Sequence, residues 1–82
     1  MNDSGSLRII AQGVINSLFA KRFIRCAPVV REVVVEERYR FAIHLDDSQI
    51  SLIKVAVEPE EFFAEAVRRS LLRRLATRER AV

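Results

Sequence analysis

Between Leu7 and about Phe23 the apolar residues Leu7, Ile10, Ala11, Val14, Ile15 and Leu18 recur at i, i+3, i+4 and i+7, opposite Gln12 and Asn16. That spacing is one face of an amphipathic α-helix. Ser4 or Ser6 is the natural N-cap, Gly13 lowers propensity, and Lys21, Arg22 and Arg25 stand where the negative end of a helix favours cations. Pro28 closes the segment.

From Val29 the period changes. Val29, Val30, Val33, Val34 and Val35 form a β-branched run, and 38–45 (RYRFAIHL) alternates strictly, the pattern of strands. One buried face of the second strand then carries Tyr39, Phe41, Ile43 and Leu45, with Arg38, Arg40 and His44 pointing out. Asp46, Asp47 and Ser48 make a turn, since their side chains can bond their own backbone. A third strand follows from Ile50 to Val57, with Ile53, Val55 and Val57 on one face, Ile50, Leu52 and Lys54 on the other, and both faces partly covered. Glu36 and Glu37 split the valine run from the second strand, although neither suits the positive φ of a tight hairpin. The alternative is one bent strand over 29–45, spanning roughly 55 Å at about 3.3 Å per residue, too long for so small a domain unless it bends or pairs with another chain. Three strands are the favoured reading.

Glu58, Pro59, Glu60 and Glu61 open a final helix, with proline at its first position and carboxylates at its positive end. Phe62, Phe63, Ala66, Val67 and Ser70 form its core face. Past Leu71 that face is interrupted by Arg73 and Arg74, and a second apolar stripe of Leu72, Leu75 and Ala76 begins, turned by well over about 90° from the first. The second stripe is either covered by the N-terminal helix or left for a partner. The elements together predict an α+β fold in the order α-β-β-β-α, an antiparallel meander packed against two amphipathic helices. One domain spans 1–82, with 1–5 disordered and 79–82 frayed.

With 82 residues, half of them hydrophobic and 30% charged, the chain has the composition of a single globular domain rather than of a disordered one. The net charge of +3 hides a segregation. Residues 1–31 carry five cations against one acid, 32–67 three against nine, and 68–82 six against one. Two basic ends flanking an acidic centre can satisfy each other within a chain or between two copies, so the basic balance does not by itself imply nucleic acid. Arginine outnumbers lysine twelve to two, which favours planar, bidentate contacts to carboxylate or phosphate.

Catalytic and metal-binding chemistry is sparse. The single cysteine, Cys26, excludes an internal disulfide and a thiolate metal site, and there is neither a glycine-rich phosphate loop nor zinc spacing. His44, close to Asp46 and Asp47, is the one place where a metal or a proton could be handled; a solvent-facing strand residue beside a polar turn explains it more simply. Cys26 near Arg22 and Arg25 has a reactive reading and a small-filler reading. No enzyme activity, cofactor or metal is therefore expected. No apolar run is long enough for a membrane span and no secretory signal is visible, so a cytoplasmic protein is expected.

The order helix, three strands, helix resembles that of double-stranded RNA-binding domains. That family places a Gly-Pro-x-His loop between its first two strands and lysines at the start of its last helix, where this chain has Glu36-Glu37 and Glu60-Glu61. The resemblance is one of topology and carries no residue over. Two functional readings follow. The first is a non-enzymatic protein-interaction module (inhibitor, adaptor or assembly subunit) that associates into a homo-oligomer, with Leu72, Leu75 and Ala76 as contact residues and the valine run as an exposed sheet edge. The second is a nucleic-acid binder acting through Arg68, Arg69, Arg73, Arg74 and Arg78. Arg38, Tyr39, Arg40 and Phe41 interleave rings with cations, but alternation sends the two to opposite faces and core packing accounts for the rings.

Overall fold

A computed structural model describes residues 4–57 and 60–80, apart from the side chains of residues 4, 60 and 76–80. Helix α1 (Ser4–Ala20) leads to strands β1 (Val29–Glu37), β2 (Arg40–Asp46) and β3 (Leu52–Ala56), then to a 3₁₀ turn (Glu60–Phe62) that runs into α2 (Phe63–Arg80). The strands form an antiparallel sheet in the order β1-β2-β3. This is the expected α+β meander with two helices. α1 begins at Ser4 and α2 runs through Arg80. Residues 1–3, 58, 59, 81 and 82 lie outside the description, and with them the proposed start of the last helix at Glu58-Pro59 and part of the expected frayed end.

The core is apolar throughout: among the described residues no polar or charged side chain is buried. Leu7, Ala11, Ile15 and Leu18 of α1 meet Val30 and Val33 of β1, Phe41, Ile43 and Leu45 of β2, Ile53 and Val55 of β3, and Phe63, Val67, Leu71 and Leu75 of α2. Phe41 and Phe63 meet edge to face at 4.9 Å between centroids, the arrangement the ring quadrupoles favour. Ile10 is the exception on the α1 stripe; it is exposed and faces a groove rather than the core.

Four expectations are corrected. The first hairpin turns at Arg38-Tyr39, not at Glu36-Glu37, which belong to β1. Tyr39 therefore does not enter the core; it takes a left-handed backbone (φ 64°) and is half-buried in the turn. Arg38 lies over its ring at 4.8 Å and donates to its hydroxyl at 3.0 Å. Second, only one face of β3 is covered: Ile53, Val55 and Val57 are buried, while Leu52 and Lys54 lie exposed on the other face. Third, the described side chains of α2, residues 63–75, form one apolar stripe and not two. Phe63, Val67, Leu71 and Leu75 are all buried, and steps of four residues advance the stripe by about 40° each. What looks from sequence like a switch of face is the steady drift of an i+4 row, as in helices that cross their neighbours at an angle. Fourth, Phe62 is exposed, because it sits in the 3₁₀ turn ahead of that row.

β1 also carries two irregularities that alternation conceals. Its register passes from Val30↔Leu45 to Glu32↔His44, and from Val35↔Phe41 to Glu37↔Arg40, so Arg31 and Glu36 are each an extra residue in the strand. The first bulge is why Val30 and Val33, three apart, both face the core.

Candidate functional site

α1 ends in a motif that shapes the neighbouring surface. The Arg22 N–H donates to Phe19 C=O and the Phe23 N–H to Leu18 C=O, with Arg22 in the left-handed region (φ 65°). These are the paired bonds of a Schellman C-cap, whose left-handed position usually carries glycine. The reversal folds Phe23 back beside Leu18, and both line a groove of ≈ 280 Å³ between α1 and α2. Its α1 wall is Ile10, Gly13, Val14 and Ser17; Ala64 lies on the α2 side; Lys21 and Arg68 supply the cations. A Cβ at Gly13 would meet nothing within 4 Å, so the missing side chain leaves open space. Phe23 is half exposed. The arrangement offers apolar contact flanked by positive charge.

The residues selected from sequence fall in different places. Leu75 is 0% exposed and Leu72 packs, partly buried, against the same core, so these two residues are covered within the chain itself; the side chain of Ala76 lies outside the described residues. Among the arginines, Arg68, Arg69, Arg73 and Arg74 are exposed, and the side chain of Arg78 is not described. At about 100° per residue, Arg69 and Arg73 share the outward face of α2, while Arg68 and Arg74 fall on opposite flanks. Arg68 turns toward the groove and stands 4.0 Å from Glu65. Of the four arginines whose side chains are described, two thus point outward and the four do not converge.

His44 is half-buried on the open face of the sheet, in register with Glu32 of β1 and Leu52 of β3. Asp47 is engaged in the turn: its Oδ1 accepts from Gln49 N–H at 2.8 Å and Ile50 N–H at 3.1 Å, an Asx-type closure. Asp46 is exposed at the end of β2, opposite Val29. No cluster of three or more His, Cys, Asp or Glu side chains suited to a metal is found among the described residues. Cys26 is half-buried and packs against the core. No described helix is long and apolar enough to cross a membrane.

Sequence reasoning passed over Gln12, read only as the polar side of α1. Its Oε1 accepts from Val30 N–H at 2.7 Å and its Nε2 donates to Pro28 C=O at 3.1 Å. One side-chain amide thereby occupies the outward donor and acceptor at the start of β1, as a neighbouring strand would. Its position, one residue after buried Ala11 and three before buried Ile15, was the available signal. No protein-family model matches the chain, and comparison with curated proteins and with solved structures finds no match either.

Proposed function

We propose that this chain is a non-enzymatic protein-interaction module that docks a partner segment in the α1–α2 groove and also associates with itself. The observation that carries the reading is the groove. It combines an open floor at Gly13, apolar walls ending in half-exposed Phe23, and the cations Lys21 and Arg68. Such a groove suits an amphipathic helix with apolar anchors flanked by carboxylates. Large exposed apolar side chains elsewhere on the helical layer, Ile9 (64%), Phe19 (47%) and Phe62 (53%), point the same way.

The test is titration calorimetry with two synthetic amphipathic peptides of one leucine pattern, one with glutamate and one with lysine on the polar face. The glutamate peptide should bind, more weakly at about 500 mM than at about 100 mM salt, and Gly13→Leu should abolish the binding by filling the floor. Equal binding of both peptides, or none, overturns the reading.

A second reading, nucleic-acid binding, draws on the exposure of Arg69 and Arg73. Size-exclusion chromatography with light scattering, recorded at 260 and 280 nm at both salt concentrations, separates the two. A salt-insensitive dimer free of 260 nm material supports protein interaction. A monomer that carries such material at low salt and sheds it at high salt supports nucleic acid.

A further inference from the structure

β1 is the longer edge of the sheet, with nine residues against five in β3. The direction of its backbone groups follows from bonds across the sheet. Leu45 N–H donates to Ser51 C=O, and Val57 N–H to Tyr39 C=O, so Tyr39, Phe41, Ile43 and Leu45 bond toward β3 and Ala42 and His44 toward β1. Their partners on β1, Val34 and Glu32, therefore bond inward, and the N–H and C=O groups of Val33 and Val35 point to the open edge. Gln12 covers the outward groups only at Pro28 and Val30. Beyond it no described residue hydrogen-bonds to the edge, which is regular between the bulges at Arg31 and Glu36 and apolar: Val34 is 38% and Val35 49% exposed.

We propose that a second copy of this chain adds its β1 to this edge, antiparallel, with the two-fold axis at Val34, so that two three-stranded sheets join into one of six strands. This inference rests on the self-associating reading above and names its surface. Placing the axis at Val34 sets Val33 opposite Val35 of the second copy, where each supplies the donor and acceptor the other needs, and sets Val34 opposite its own mate on the open face. Arg31 then falls beside Glu37 of the second copy, a pairing of opposite charge. Glu32 falls beside Glu36, whose carboxylate is already 3.6 Å from Lys54 Nζ. An axis at Val33 would instead oppose Val35 with Arg31 and Val34 with Glu32; an axis at Val35 would oppose Val33 with Glu37 and Val34 with Glu36. Of these three registers only the one centred on Val34 matches valine with valine at all three positions. It also keeps inward faces on the same side, so both helical layers cover one surface of the joined sheet.

Cysteine cross-linking reads the register directly. In a directly opposed, non-hydrogen-bonded pair the Cα atoms stand about 4.5 Å apart, within the roughly 4.4–6.8 Å that a disulfide spans. In a Cys26→Ala background, Val34→Cys should form an interchain disulfide rapidly on mild oxidation. Glu32→Cys in the same background should not, since its own mate lies four positions away, about 13 Å. Separately, Val35→Pro removes an outward N–H that no strand of the monomer uses, and should give a folded monomer by circular dichroism and light scattering. If the dimer forms but both cysteine variants cross-link alike, or Val35→Pro remains dimeric, the edge pairing is overturned while the interaction reading stands. If the native chain is monomeric at every concentration, the edge pairing is overturned, and the peptide titration decides the groove on its own.

Discussion

At Arg22 and Gly13 the chain carries side chains opposite to what the local backbone prefers. Arg22 occupies the left-handed position of a C-cap, where a Cβ costs about 1 kcal/mol and glycine costs little. Gly13 sits inside α1, where an added Cβ would meet nothing within 4 Å and alanine is favoured by about 0.8–1 kcal/mol. Arg22→Gly and Gly13→Ala should each raise the unfolding free energy by about 0.5–1 kcal/mol, read as a higher urea midpoint at unchanged slope. The two should add, being nine residues apart with no shared bond. The Gly13 effect bears on function as well, because alanine leaves most of the groove open and leucine closes it. A destabilised Gly13→Ala would mean that the space is needed by the fold itself. The cost of Gly13 is legible in sequence, but the left-handed backbone at Arg22 and Tyr39 is not: a left-handed arginine or tyrosine is rare enough that reading outward from residue type points to Glu36-Glu37 or to a cation-rich terminus instead.

At the level of elements, existence, order and pairing were legible because the period of the apolar residues changes from 3.6 to 2 at Val29 and back at Phe63. What escaped was anything that shifts that period by one residue. The bulges at Arg31 and Glu36 reset the parity of β1, and the i+4 drift of α2 made one stripe look like two. The consequence for Leu75 is direct. Since it is fully buried, Leu75→Ala should cost about 2–5 kcal/mol of stability, as a core leucine does, and its effect on any association should follow only from unfolding. A stable, folded Leu75→Ala that merely dissociates would return Leu75 to an interface. Gln12 was illegible for another reason, since its partners are backbone groups 16 and 18 residues away. Gln12→Ala leaves Val30 N–H and Pro28 C=O without it, and should cost about 1–3 kcal/mol in thermal or urea unfolding. It should also lengthen the bare edge, so aggregation should rise with it; Gln12→Ala of native solubility and stability would show that water replaces the amide at no cost.

For the molecule as a whole, size sets the terms. A domain of 82 residues buries a modest share of its surface and holds a small margin of stability, so any association specific to the native state contributes visibly to it. Binding between native copies stabilises them by mass action, and the midpoint of unfolding then depends on protein concentration. If β1 pairs across a two-fold, the thermal midpoint of the native chain should climb steadily as concentration is raised over about two decades, whereas that of Val35→Pro should stay fixed. Gly13→Leu, which blocks the groove and leaves the edge intact, should keep the concentration dependence of the native chain. A midpoint that ignores concentration in the native chain would place all of its stability in the single core formed by α1, the sheet and α2. A dependence that Val35→Pro preserves and Gly13→Leu removes would move self-association from the edge to the groove, since each variant alters one of the two surfaces and leaves the other as it was.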